Sequence, residues 1–186
     1  MKIQLFILGL LGTIINGIAQ PAETTVEIKK ERIDFNDKLV NGRRLTVSSV
    51  IPMSIDRAWA NVKTPALLQF VAKGMIRFKW REGKIPDEWV AGETYQVKMR
   101  IFGFIPFGAT HFLLVEKIDN RRKEISTKEW DSSAKVWNHN IKMKAIDEHS
   151  IYYEDSILIY GGILTGVITS FARIFYKHRQ NRWRIV

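Results

Sequence analysis

The chain of 186 residues contains no cysteine. Disulfides, cysteine nucleophiles and thiolate metal sites are therefore excluded. It has only five prolines. No repeat recurs at a period of about 20–50 residues, which argues against a solenoid or propeller. Zinc-finger spacing, an aromatic RNA-binding signature and a phosphate-cradling glycine loop are all missing. The sequence thus implies no cofactor, no metal and no nucleic acid. Acidic residues are also in short supply. Against 29 Lys and Arg stand 19 Asp and Glu, a formal net charge of +10. Such an excess favours anionic partners.

At the N-terminus, Lys2 precedes an uncharged apolar run, and Gly17 and Ala19 sit at the −3 and −1 positions before Gln20. This is the pattern of a secretory signal peptide over 1–19, which predicts an exported, periplasmic or secreted, domain. The alternative is a membrane anchor formed by residues 3–19, close to the shortest span of about 17 residues that crosses a bilayer. Residues 20–42 are polar and of mixed charge, a leader ending at the turn signal Asn41-Gly42. The domain is expected over 43–186.

Hydrophobic periodicity organises that domain. "RRLTVSSVI" (43–51) alternates as a strand that stops at Pro52. Ser54 is placed to cap a short helix with the stripe Ile55, Ala58, Trp59, Val62. Thr64-Pro65 starts a second helix that ends at Gly74. From 75 to 160 the pattern is period two, with turn residues between the runs. Phe78 and Trp80 share one inward face; Tyr95, Val97 and Met99 share the next. From Ile163 to Trp183 only Gly166 disfavours a helix. One stripe is read as Ile163, Val167, Ser170, Phe171, Ile174 and His178, widened by Leu164, Ile168 and Phe175. The order is strand, two helices, six strands, long helix: an α+β fold with a curved antiparallel sheet of about seven strands.

"VSSVIPMSIDRAWANV", "WNHNIKMKAI", "YEDSILIYGG" and "LTGVITSFARIFYKHRQNRW" occur in this order. Together they resemble the START-like (SRPBCC, polyketide-cyclase-like) superfamily, in an uncharacterised subgroup. The resemblance implies a helix-grip fold, with the sheet wrapped around the C-terminal helix. It also implies an apolar cavity for a lipid or other hydrophobic small molecule. Some members catalyse cyclisation or dehydration; many only bind or carry.

"VWNHNIKMKA" (136–145) puts Trp137, His139, Ile141 and Met143 on one face. If the hairpin before it centres near 134, Glu129 lies directly opposite His139, with Cβ atoms about 4.5–5.5 Å apart. Asp155 shares a face with Tyr153, Ile157 and Ile159, although a one-residue slip would select Tyr152, Glu154, Ser156 and Leu158 instead. Glu129, His139 and Asp155 are therefore the candidate polar patch. They could be a self-satisfied network, could orient a polar ligand end, or could serve an enzyme with His139 as general acid or base. Their ligand types would suit a metal, but no short spacing supports one. Phe78, Trp80, Tyr95, Val97, Met99, Trp137, Ile141, Met143 and Phe171 are the expected apolar cavity wall. The cavity is expected to hold several hundred Å³, within the roughly 300–1,000 Å³ range of ligand pockets. His111 and His178 read as partly exposed packing residues.

Two features suggest a surface role. "IFGFIPFGA" (101–109) is unusually apolar for a hairpin tip, and Pro106 argues against a continuous strand there. Such a tip could pack over a cavity mouth or dip into a membrane. The tail carries Arg173, Lys177, Arg179, Arg182 and Arg184, read as a solvated helix end or as contacts to an anionic membrane surface.

Overall fold

The computed structural model describes residues 24–81 and 85–186. The expectations for residues 1–19 lie outside them. Eight strands form one antiparallel sheet in the order β1-β2-β8-β7-β6-β5-β4-β3. The strands are β1 (Thr25–Phe35), β2 (Lys38–Ile51), β3 (Ile76–Trp80), β4 (Thr94–Ile101), β5 (Ile105–Asp119), β6 (Glu124–Trp130), β7 (Val136–Ala145) and β8 (Ile151–Tyr160). Helices α1 (Ile55–Val62) and α2 (Pro65–Ala72) lie between β2 and β3. The long α3 (Thr165–Trp183) follows a 3₁₀ turn at Gly162–Leu164. This is the expected helix-grip architecture.

The eighth strand comes from the polar stretch read as a leader. Residues 25–35 pair with the start of β2 in a hairpin. Its turn is Asn36-Asp37, not Asn41-Gly42. Both turn residues have positive φ, 52° and 59°. Asn and Asp tolerate that conformation better than other non-glycine residues. Gly42 instead lies inside β2, facing Glu31, where an added Cβ would come within 3.1 Å of the Ile159 carbonyl oxygen. Alternating charges hid β1, since an edge strand can solvate most of its length.

The two short helices follow the sequence. Ala58, Trp59 and Val62 of α1 are buried. The Leu67 N–H donates to Thr64 Oγ1 at the start of α2, and Pro65 occupies the first turn. Ser54 stands at the start of α1 but its side chain makes no cap bond.

Helix α3 turns the other way from its expected stripe. Ile163, Val167 and Ile174 face out, and Phe171 is only partly covered. The buried face is Thr165, Ile168, Thr169, Ala172, Phe175, Tyr176, Arg179, Gln180 and Trp183. This face keeps the helical three-to-four spacing, but four of its residues are polar. Hydropathy alone therefore centred the stripe on the wrong side, and of its expected members only the widening residues Ile168 and Phe175 are buried. What turns the helix is hydrogen bonding to the sheet: Gln180 Nε2 donates to the Val47 carbonyl of β2 (2.6 Å) and to Asp155 Oδ2 of β8 (3.3 Å).

β5 begins at Ile105 and includes Pro106, against expectation. β6 pairs with β5 only from Phe112 onward, so at Pro106 one side of β5 has no neighbour. A missing N–H is tolerated at such an edge. A bulge opposite Lys98/Met99 takes up the residues between Phe107 and Thr110, with Gly108 at φ 63°.

The chain enters α3 through Gly161. A Cβ built there would lie 2.4 Å from Ile168 Cδ1 and 2.6 Å from the Ser133 carbonyl oxygen. The second contact is backbone and cannot swing away. Gly161→Ala is expected to lower stability by about 1–3 kcal/mol, the usual cost of overpacking. Urea unfolding should show the loss as a lower midpoint, and an unchanged midpoint would contradict it.

Candidate functional site

The β6–β7 connection sets the register of the site. Asp131 Oδ1 accepts from the N–H groups of Ser133 (2.7 Å) and Ala134 (2.8 Å), and the Asp131 N–H donates to the Ala134 carbonyl. This tight, side-chain-bonded turn moves the hairpin centre one residue earlier than expected. Thr127, not Glu129, is opposite His139, and Glu129 is opposite Trp137. A shift of two in partner preserves the face. Glu129 and His139 both still point inward, but as diagonal neighbours.

Each then finds a different partner. His111 of β5 sits between two carboxylates, with Nε2 3.0 Å from Glu129 Oε2 and Nδ1 3.1 Å from Asp131 Oδ2. Thr127 Oγ1 donates to the other Glu129 oxygen at 2.6 Å. Burial disfavours charge on His111. The hydrogen bonds to Asp131 and Glu129 and their negative charge more than offset this, and its pKa rises to about 9. Burial likewise pushes the Glu129 carboxyl up, but the hydrogen bond and charge of His111 outweigh it and hold Glu129 below its usual value. Asp131 is lowered for the same reason, with the two turn N–H groups helping.

The second cluster centres on Asp155, which is fully buried. Its preferred register is observed. His139 Nε2 lies 2.8 Å from Asp155 Oδ1, and the Tyr153 hydroxyl donates to the same oxygen at 3.0 Å. Arg179 Nη2 lies 3.8 Å from that oxygen. Burial would raise the Asp155 carboxyl, but the charge of Arg179 and the His139 hydrogen bond hold it below the usual range. With Nε2 directed at Asp155, the other His139 ring nitrogen has no hydrogen-bond partner among the described residues. The Tyr176 ring stands edge-on to the imidazole, with centroids 5.1 Å apart. Tyr176 Oη accepts from Trp137 Nε1 at 3.2 Å.

His111, Glu129 and Asp131 of the first cluster and His139, Tyr176 and Arg179 of the second line a cavity between the sheet and α3. Of the candidate residues, Phe78, Trp80, Val97, Met99, Glu129, Trp137, His139, Ile141 and Phe171 line it. Asp155, Met143 and Tyr95 do not. Asp155 lies behind His139, Met143 belongs to the second core around Trp183 and Tyr153, and Tyr95 packs edge-on against Trp80 and Trp89. The cavity volume is about 90 Å³, well below the several hundred Å³ expected. Phe171, Phe175 and Tyr176 of α3 occupy much of the space that an alternating sheet alone would leave. Phe107 of β5 stacks on Phe171 (5.4 Å between centroids) and closes the gap between hairpin and helix.

Four important residues were misjudged or missed from sequence. His111 is buried, not partly exposed. Its strand is apolar on both faces, so alternation could not orient it; its pairing with Val97 of β4 does. Asp131 lies in the turn between β6 and β7, where periodicity carries no signal. Tyr176 and Arg179 lie on the polar face of α3. Arg179 was expected in a solvated or membrane-facing tail, yet it is 5% exposed, lines the cavity and lies over the Tyr176 ring at 4.9 Å. The rest of that tail divides. Arg182 lies over Phe70 and donates to its carbonyl, Arg184 bonds Asn181 and Thr24, and Arg173 and Lys177 are exposed. His178, partly exposed as expected, lies 2.9 Å from the Lys73 carbonyl oxygen.

No family model and no curated protein matches the chain. Solved structures do match in fold. Norcoclaurine synthase from Thalictrum flavum, in complex with dopamine and hydroxybenzaldehyde, superposes with a TM-score of 0.52 at 12% identity, covering 98% of this chain and 95% of that one. Major latex-like protein 151 from Panax ginseng gives 0.56 at 11% identity, over 76% and 95%. A START superfamily protein from Mycobacterium smegmatis gives 0.51 at 8% identity, over 76% and 94%. The fold is therefore of the START/SRPBCC type.

The His111 clamp carries a pH signature. A histidine whose folded pKa is raised stabilises the fold fully below its unfolded value, about 6.5, and loses that contribution as pH climbs through about 9. Glu129 and Asp131 act in the opposite sense, losing their contribution as pH falls through their lowered values. Unfolding free energy should therefore decline between about pH 6.5 and 9, by an amount on the order of 3 kcal/mol. Urea unfolding across this range should show the slope in the wild type and a flatter profile in His111→Gln. Parallel profiles would refute the assignment.

Proposed function

We propose that this protein binds a small hydrophobic molecule in the cavity between the sheet and α3. The observation that carries this reading is the wall itself. Aromatic and aliphatic side chains from β3, β4, β7 and α3 converge on one space, and polar side chains from β5, β6, β7 and α3 join them on its wall. Burial of apolar ligand surface, worth roughly 25 cal/mol per Å² before association costs, supplies the affinity. The cavity of about 90 Å³ suits a compact ligand. A longer one is admitted by parting Phe107 from Phe171. Carriage follows if the ligand is released at a second location. Cyclisation or dehydration chemistry, with the unpartnered nitrogen of His139 as base, is the enzymatic alternative, favoured by the Asp155–His139 hydrogen bond.

Native mass spectrometry of the purified protein, with organic extraction, tests the binding reading. The wild type should carry or take up an apolar molecule. Val97→Trp, which fills the cavity, should lower that affinity at least tenfold. Equal uptake by both proteins would place binding elsewhere.

A second reading has its own support. On the outer face of β3 and β4, Arg77 is directly opposite Arg100 and Lys79 is directly opposite Lys98, all four exposed. Like charges so placed cost about 0.2–1 kcal/mol per pair. None of the four has an ion-pair partner among the described residues. Next to them the β4–β5 tip exposes Phe102, Phe104 and Ile105. A cationic ladder ending in exposed aromatic rings matches an anionic lipid surface. No described helix is long and apolar enough to cross a membrane. Such a contact keeps the hairpin tip of the expected membrane role and adds the four cations of β3 and β4 to it. Sedimentation with vesicles should show binding to phosphatidylglycerol-containing membranes and little to pure phosphatidylcholine. Arg77→Glu with Arg100→Glu, or Phe104→Ser, should lower it severalfold. Binding indifferent to lipid charge, or to all these substitutions, would dismiss the reading.

A further inference from the structure

Arg179 is the exception on the cavity wall. Glu129, Asp131, His111 and His139 each have hydrogen-bond partners. Arg179 makes no hydrogen bond among the described residues, although it is nine-tenths or more buried. Its Nε is enclosed without a partner. Its nearest carboxylate oxygen, Asp155 Oδ1, is 3.8 Å away, too far for a hydrogen bond, and already takes His139 and the Tyr153 hydroxyl. The other Asp155 oxygen takes Gln180. What holds the guanidinium is the pair of ring faces of Tyr176 (4.9 Å) and Phe175 (5.8 Å). These rings fix its plane and leave its N–H groups unspent.

A buried donor set left open in a cavity is a recognition element awaiting an acceptor. We propose that Arg179 is the polar anchor of this cavity and takes the uncharged carbonyl oxygen of a compact, largely apolar ligand. This rests on the cavity being a binding site. An oxygen acceptor is specified because the open groups are donors: Trp80 Nε1, also on the wall, is likewise enclosed without a partner. An uncharged oxygen is specified by the local charge. Asp155 already faces Arg179, and Glu129 is held ionised by His111. A ligand carboxylate would enter beside two anions while Arg179 is half-compensated already. A carbonyl gains the hydrogen bond without that repulsion. Arg179 and His139 both approach the same oxygen, Asp155 Oδ1, so the bound carbonyl would stand beside the imidazole.

The test compares methylcyclohexane, cyclohexanone and cyclohexanecarboxylate. Binding is followed by tryptophan fluorescence, since Trp80 and Trp137 line the cavity, and checked by calorimetry. The wild type should bind cyclohexanone at least about tenfold more tightly than methylcyclohexane, the effect of one hydrogen bond to a charged donor. Cyclohexanecarboxylate should bind less tightly than the ketone. Arg179→Met should abolish the preference while retaining the hydrocarbon. Arg179→Met combined with Asp155→Asn removes both charges and serves if the single variant does not fold. Equal affinity for ketone and hydrocarbon in the wild type, a ketone preference that survives in the variants, or a preference for the carboxylate would overturn the anchor and leave the cavity reading standing. Binding of none of the three would overturn both.

Discussion

The buried carboxylate of Asp155 organises this molecule. It lies on the middle of β8, fully enclosed, and an ionised group there is tolerated only with compensation. That compensation comes from three directions: His139 on the neighbouring strand, Tyr153 two residues back, and Arg179 and Gln180 on α3. The last two decide how the helix docks. If α3 buried its most apolar stripe, Asp155 would lose Gln180 and Arg179 and keep only its partners on the sheet. The helix instead presents a face carrying Thr165, Thr169, Arg179 and Gln180, and leaves Ile163, Val167 and Ile174 to the surface. One charge thus sets the rotation of the longest element in the fold.

The same constraint shapes the cavity. Rotating α3 in this sense brings Phe175 and Tyr176 toward the sheet and carries Arg179 to the wall. The rings explain why the space is small, and the guanidinium explains why it is not simply apolar. The His111 clamp has its own hydrogen-bond partners. Glu129 and Asp131 share one histidine, so these two carboxylates are compensated in part where they stand. Two polar clusters with different partners therefore replace the single trio suggested by alternation.

Much of the sheet was legible because alternation is a strong signal wherever one face is buried. β7 and β8 show it directly, with Trp137, His139, Ile141 and Met143 in, and Tyr153, Asp155, Ile157 and Ile159 in. The signal failed where both faces share a character. β1 is polar on both sides and was taken for a leader; β5 is apolar on both sides and hid His111. The direct opposition of Glu129 and His139 failed for another reason. Register depends on the turn, and the hydrogen bonds made by Asp131 within its own turn are invisible to periodicity. The face of α3 was lost because hydropathy scores a residue by transfer from water. Arg179 and Gln180 are buried for what they bond to, not for what they avoid.

Strand order has a kinetic consequence. β2 is made early, but its inner edge pairs with β8, the last strand. Until residues 151–160 have been synthesised, the β1–β2 hairpin and the β3–β7 meander have no strand joining them. Contacts between such distant segments are slow to form. Asp155 arrives in that closing strand, and its helical partners Arg179 and Gln180 arrive later still. Closure of the sheet and compensation of its buried charge are therefore among the final events of folding, and the nascent β2 edge is the segment most in need of protection beforehand.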